Sequence, residues 1–507
     1  FTPPLENYIG GGEPKVNKII SLCVKAIDEF FTVFPTVDGI VVRIGELGGT
    51  HNMKEYYSKV IFDSFDSARQ LLSSLLEVFD KHNKTLIFRI WSIGIGEIGD
   101  IHQDPKAYDR LLSEFENEKN LVVSIKYVRG DFYRDLPFNP NIGHGKIRQM
   151  VEIEAVPEYG GFSMYPNYLV EVFQEFMLHL KRIPFGVWVW VQEGAAPKMT
   201  GGFGPFTLFL FRGFWSNTDA NAYAFGKVVW NPHADVNNVT YTWAMKNFGR
   251  NLTLIQNVSR MLLMSDDADV KALYIEDYAR KTTYIVGSIS FPESQLWIWW
   301  DVPQSSSFAL APIYRACKEG KGIEANVQDG FEAVSIVNKM QDCLKGLKPE
   351  VNEDLLDRWK RSVEYERNYF TVLAYFRECF LYFYEWTETL NPQAAMRYRA
   401  ALENLKEARR EYETTYNGSD PEQVIVPADL SQIESFIERV ENTPSAVTVS
   451  RILFVALSLV MITCVVVDLR KRKPKQKSAR TREQVPSAGT AASRFENLSK
   501  ALVTVSY

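Results

Sequence analysis

Met150–Gly161 reads MVEIEAVPEYGG. Its first six residues alternate as a strand does, and the pattern breaks at Pro157 to deliver Glu158, Tyr159 and two glycines. A carboxylate just past the C-terminal end of a buried strand, on a loop softened by glycine, is where an α/β barrel keeps its chemistry. Two earlier strands end in the same way, at Glu46 and at Asp131.

Outward from that stretch, GIVVRI (Gly39–Ile44), TLIFRIW (Thr85–Trp91), LVVSIKY (Leu121–Tyr127), Gln149–Ala155 and GVWVWV (Gly186–Val191) read as five short strands of the parallel type. Helical spacing precedes or separates them at Ile19–Phe34, Phe62–Phe79, Pro105–Phe115 and Tyr168–Lys181. In the second of these, Phe65, Ala68, Leu72, Leu75, Leu76 and Phe79 share one face. Strands that alternate with helices predict a parallel α/β domain. An eight-stranded barrel needs three more strands, and the roughly 38 residues before Gly39 do not contain them. Five strands alone leave exposed edges. An open α/β sheet and a barrel whose start is missing both remain consistent with the pattern.

From about Trp230 to Asn442 long helical stretches dominate. The clearest are Val239–Leu263, Phe331–Leu347, and Glu353–Tyr416 with an interruption near Leu390–Pro392. Ile452–Val467 is uncharged and apolar, and RKRKPKQKSARTR follows shortly after it. Extended to Ala446–Leu469, with Arg451 reaching the interface, the run is long enough to span a bilayer. The basic segment then marks the cytoplasmic side. A buried core helix is the plainer alternative. The expected location is the cell membrane, crossed once, with the ectodomain outside and the tail inside. Sequons at Asn83, Asn238, Asn251, Asn257 and Asn417 fit an exported region. The chain begins with Phe, without Met or a signal peptide, so a processed chain or fragment is expected.

With 507 residues there is material for two or three domains. A net charge of −5 gives no support to nucleic-acid binding. Aromatics make up 13% of the chain; most such residues are core, but they also form the flat stacking surfaces that sugars use. Of the five cysteines, Cys464 lies in the apolar run, which leaves Cys23, Cys317, Cys343 and Cys379 to form up to two disulfides or none. Neither these nor the six histidines show metal-site spacing, and no nucleophile elbow, phosphate loop or dinucleotide fingerprint is present.

Glu46, Asp131 and Glu158 at the ends of three parallel strands would converge on one edge. Such a cluster suits glycoside hydrolysis, in which one protonated carboxyl donates to the leaving oxygen while carboxylate on the other face activates water. The plain alternative is loop acids that make caps and ion pairs. Arg89 and Lys126 lie inside apolar strands, where a cation is costly unless paired or solvated. Pairing with the clustered acids and binding of an anionic substrate group both account for them.

Four segments resemble the α-glucuronidases among the glycoside hydrolases: DGIVVRIGELGG, NLVVSIKYVRGDF, VEIEAVPEYGG, and Asn221–Gly249, the longest and most specific. The resemblance implies Glu46 as general acid, and Asp131 and Glu158 as the pair that positions and deprotonates water. It also implies Arg89 and Lys126, in IFRIW and SIKY, as residues that handle a uronate carboxylate. Arg43, one place off a lysine of the family pattern, joins them as a substrate-binding candidate. It further implies an inverting mechanism without a cofactor. The fold expected is a (β/α)8 TIM barrel, only its later strands present, then an all-α C-terminal domain and a single transmembrane helix. Boundaries fall at residues 1–228 for the barrel part, 229–442 for the helical domain, 446–469 for the span and 470–507 for the basic tail. Expected partners are an acidic oligosaccharide or polysaccharide, the membrane, and a second copy in a homodimer. A non-catalytic glycan-binding or cell-envelope structural protein on the same scaffold is the alternative.

Overall fold

The computed structural model describes residues 16–44, 62–91, 96–99, 101–129, 132, 136–155, 164–180, 185–190, 215–279, 282–285, 289–292, 301–349, 351–416, 427–428, 430–443, 458 and 460–462. The chain divides into two units, Phe1–Val440 and Glu441–Tyr507. The first carries the elements named below.

The first half alternates helices and strands: α1 (Val16–Val33), β1 (Gly39–Arg43), α2 (Phe65–Lys81), β2 (Thr85–Arg89), α3 (Pro105–Leu112), β3 (Leu121–Lys126), β4 (Arg148–Glu154), α4 (Val170–His179) and β5 (Gly186–Trp190). Local chemistry sets the boundaries. Ser64 and Ser67 form a reciprocal capping box at the start of α2. Asp104 caps α3 by accepting from the Lys106 amide, with Pro105 at the first helical position.

All four strand pairings are parallel, and the strand order is the sequence order, β1-β2-β3-β4-β5. An open doubly wound sheet would reverse its order at a switch point. Right-handed crossovers that never reverse put every helix on one face, so the sheet curls as a half-barrel. Period-2 alternation then sorts the side chains. Leu86, Phe88, Leu121, Val123 and Ile125 face outward into a core shared with α1, α2 and α3. Val151 and Ile153 face outward into a second core. The register puts Arg43, Arg89, Ser124 and Met150 in one row of the opposite face, and Lys126, Glu152 and Trp188 in the next. That face is the inside of the half-barrel.

The second half is helical: α5 (Trp215–Trp230), α6 (Val236–Phe248), α7 (Leu252–Leu273), α8 (Asp301–Glu319), α9 (Ile323–Leu344), α10 (Glu353–Thr389) and α11 (Pro392–Tyr416). A two-stranded antiparallel hairpin, Thr282–Ile285 with Ile289–Pro292, intervenes. The stretch Val239–Leu263, which reads as one helix, is two. Gly249 ends α6 at φ +87°, and the Asn251 side chain caps α7 by accepting from the Leu254 amide. The expected interruption near Leu390–Pro392 is present: Leu390 takes φ +61°, and Pro392 opens α11. Ala224 and Val228 of α5 share one core with Val239 and Trp243 of α6, with Val151 of the sheet and with α10, so packing is continuous through residues 228 and 229.

Cys23, Cys317, Cys343 and Cys379 are free thiols, which settles for these four the disulfide question that spacing leaves open. Among the described residues no helix is long and apolar enough to cross a membrane. The run Ala446–Leu469 lies outside the described residues apart from Ser458 and Val460–Ile462.

Candidate active site

The inner face of the half-barrel is charged and aromatic where the outer face is aliphatic. Arg89, only 7% exposed, donates from Nε to both carboxylate oxygens of Glu152, at 3.0 and 2.8 Å. Glu152 is fully buried. Its Oε2 also accepts from Trp190 Nε1 at 2.7 Å, and the Trp190 ring lies 5.0 Å from the Arg89 guanidinium carbon. One carboxylate thus holds a cation and a tryptophan in a single arrangement. The neighbouring Trp188 donates from Nε1 to Ser124 Oγ at 3.0 Å, and the two indoles sit 5.1 Å apart. Both rings are therefore fixed at their polar edges by groups on β3 and β4.

Lys126, 5% exposed, points its ammonium at two aromatic faces, Trp91 at 3.7 Å and Phe132 at 4.1 Å. Attraction to a ring face offsets part of the cost of desolvating an ammonium, by about 2 kcal/mol where water is excluded. Arg43 is more exposed, at the edge strand, and donates from Nε to the Trp91 carbonyl at 3.4 Å. The Trp91 backbone and ring thus lie between two of the three cations.

Glu46, Asp131 and Glu158 lie outside the described residues. Their places in the chain are three residues beyond Arg43, five beyond Lys126 and four beyond Glu154. Those are the C-terminal ends of β1, β3 and β4, which share one edge of a parallel sheet. The described flanks are held firmly. Beyond β3 the chain folds back through a Val128–Phe138 bridge, with Arg129 N donating to Pro137 O and Asn139 N to Tyr127 O.

Arg89 is paired, as the plainer reading of a cation inside an apolar strand expects, but its partner is Glu152. Glu152, Ser124, Trp188 and Trp190 are the site residues that sequence reasoning missed. The signal for Glu152 was present: the alternation that turns Val151 and Ile153 outward turns Glu152 inward, and the parallel register sets it opposite Lys126. Among the described residues no group of three or more His, Cys, Asp or Glu side chains is gathered to hold a metal ion.

Parts of the chain are similar to known proteins. A family model described as the glycosyl hydrolase family 67 C-terminus matches residues 216–278, which include Asn221–Gly249, the longest segment of the sequence resemblance. The chain is 21% identical over 275 residues to "Probable alpha-glucuronidase A" of Aspergillus flavus, an overlap of 52% of this chain and 32% of the relative. It therefore spans about a third of the length of that curated relative. Among solved structures, a GH138 enzyme targeting pectin rhamnogalacturonan II superposes with a TM-score of 0.50 at 10% identity, covering 89% of this chain and 65% of that one. A likeness at that identity concerns the fold alone.

Residues 216–278 thus resemble the C-terminal part of a glycoside hydrolase family, and the longer, weaker overlap is with an α-glucuronidase.

Proposed function

We propose that the protein hydrolyses the bond between an α-linked glucuronic acid, or a similar uronate, and an oligosaccharide, with inversion at the anomeric carbon. The observation that carries this reading is the pair of buried cations on the inner face, Arg89 and Lys126, at the C-terminal ends of β2 and β3. Glu152 takes the Nε edge of Arg89, and Nη1 and Nη2 supply the parallel donors that a substrate carboxylate would accept. Lys126 adds a second positive charge, and Trp188 and Trp190 offer indole faces to a sugar ring. A substrate carboxylate would gain charge-assisted hydrogen bonds here that a neutral sugar lacks, so the site discriminates by charge.

In this reading Glu46 protonates the leaving oxygen, and Asp131 with Glu158 positions water and removes its proton. The acid and base carboxyls then stand roughly 6.5–9.5 Å apart, leaving room for water as inverting enzymes require. No cofactor takes part. The apolar run Ala446–Leu469 with the basic segment behind it supports attachment to a membrane, tail inward, which fractionation of the full chain tests.

The test is binding of glucuronate against glucose by calorimetry, in the full chain and in Arg89→Met and Lys126→Met variants. Preference for the uronate that falls at least tenfold in each variant supports the reading. Equal affinity for both sugars in the wild-type chain refutes it.

A further inference from the structure

Asn221 lies on α5, fully buried, and its side-chain amide makes three hydrogen bonds, all to the chain between β4 and α4. Nδ2 donates to the carbonyls of Ala155, at 2.9 Å, and Asn167, at 2.8 Å. Oδ1 accepts from the Leu169 amide at 2.8 Å. Two carbonyl partners and one amide partner leave only one orientation for this side chain. Ala155 is the first residue after β4, and Leu169 is the last before α4. One amide therefore ties the end of the strand to the start of the helix. Three more bonds secure the far side: Asn167 Nδ2 donates to Asp269 Oδ2, Tyr168 N to Ser265 Oγ, and Thr240 Oγ1 to Tyr168 OH.

We propose that Asn221 is a positioning residue of the site, fixing the C-terminal end of β4 relative to α4 and with it the geometry from which Glu152 holds Arg89. This rests on the reading of the inner face as a uronate-hydrolysing site. Ala155 is three residues beyond Glu152, and its amide in turn donates to the Trp190 carbonyl at 2.8 Å. The tie from Asn221 thus reaches both strands that carry the carboxylate and the tryptophan of the Arg89 cluster. A helix beyond the last strand of the parallel sheet, α5, is in this way part of the site's construction. Asparagine is specified by the partner set. Aspartate keeps the acceptor for Leu169 and loses both donors, and glutamine carries one methylene too many for the fixed distances.

The test uses the full chain with Asn221→Asp, and hydrogen exchange by mass spectrometry is followed beside steady-state kinetics of uronate release. Exchange across residues 164–169 is expected to rise at least roughly tenfold, since both donated hydrogen bonds are lost, while α10 exchanges as in the wild type. The kcat is expected to fall on the order of a hundredfold through misplacement, with KM within about twofold. Should Asn221→Asp fail to fold, Asn221→Ser carries the test, because it adds no charge to the buried position. Unchanged exchange at 164–169 overturns the proposal, and faster exchange with unchanged kcat overturns its functional half. Absence of uronate release in the wild-type chain refutes the reading of the site instead, while exchange still decides whether Asn221 holds this segment.

Discussion

Replacing Glu152 with Ala isolates the Arg89 cluster. The carboxylate is buried, its partner guanidinium nearly so, and the contact uses both oxygens. Removing one member of such a pair strands the other charge without water, at a cost of about 3–5 kcal/mol. Trp190 Nε1 loses its acceptor in the same step, worth about 1–3 kcal/mol on its own, so the Ala variant belongs at the upper end of the range. Glu152→Gln keeps an acceptor oxygen but no charge and should cost less. The double variant Arg89→Met, Glu152→Leu removes both charges and should recover most of the loss, keeping only the cost of the Trp190 Nε1 left without its acceptor, because a buried pair replaced by apolar side chains of similar size is often neutral. Urea titration followed by tryptophan fluorescence measures all three, with the midpoint shift read at constant slope. A cost below about 1 kcal/mol for Glu152→Ala, the range of an exposed pair, refutes the reasoning. So does a double variant whose cost equals the sum of the single ones.

Further perturbations follow from the helical half. Glu366 on α10 is buried with neither carboxylate oxygen hydrogen-bonded, and burial first, then the Asp269 charge, pushes its carboxyl well above the ordinary value of 4.5. The folded chain keeps a proton that the unfolded chain releases. The stabilising contribution of Glu366 is thus complete below the unfolded value and declines as pH rises from there toward the folded one, by about 1.4 kcal/mol per pH unit. Urea titrations from about pH 5 to 7 should therefore show Glu366→Gln gaining on the wild type as pH rises, and a constant difference between the two chains contradicts this. Burial pushes the Cys317 thiol up to about 12 and raises Cys379 as well, so alkylation of the native chain near pH 8 should modify half-buried Cys23 well before either, as peptide mass mapping will read. Leu390 holds φ +61° between α10 and α11, so Leu390→Gly should raise the urea midpoint by an amount worth about 1 kcal/mol; a lower midpoint would show that its side chain matters more than its backbone.

Much of the fold was legible because short-range patterns carry it. The five strands stand out as apolar runs flanked by helical spacing, and each falls within two residues of its observed bounds at both ends. The break at Leu390–Pro392 was visible because proline cannot continue a helix. The break between α6 and α7 was not, since its apolar spacing runs on through Gly249 and only the backbone angle there turns the chain. Strand order decided between an open sheet and a barrel segment, and order follows from pairings that periodicity does not encode.

The site was legible to the depth of single strands. Arg89 and Lys126 announce themselves as cations in apolar runs, but Glu152 becomes their neighbour only through strand pairing, opposite Lys126 by one register and near Arg89 once two are combined. Asn221 was visible as the start of a resembling segment, and its three bonds depend on a loop 52 to 66 residues away in sequence. Glu366 reads as one charge among many in EYERNYF until α7 and the chain around Tyr165 close over it. Tertiary packing supplied each of these.

The central claim is that this chain releases a uronate with Glu46 as the acid and with inversion. Proton NMR of the first product, formed by the full chain from a xylo-oligosaccharide bearing an α-linked glucuronate, tests it beside Glu46→Gln. The account predicts that glucuronic acid appears first as the β anomer, and that the variant slows release by at least roughly a hundredfold, the contribution of a general acid. An α anomer as the first product, or equal rates in the two chains, would contradict it.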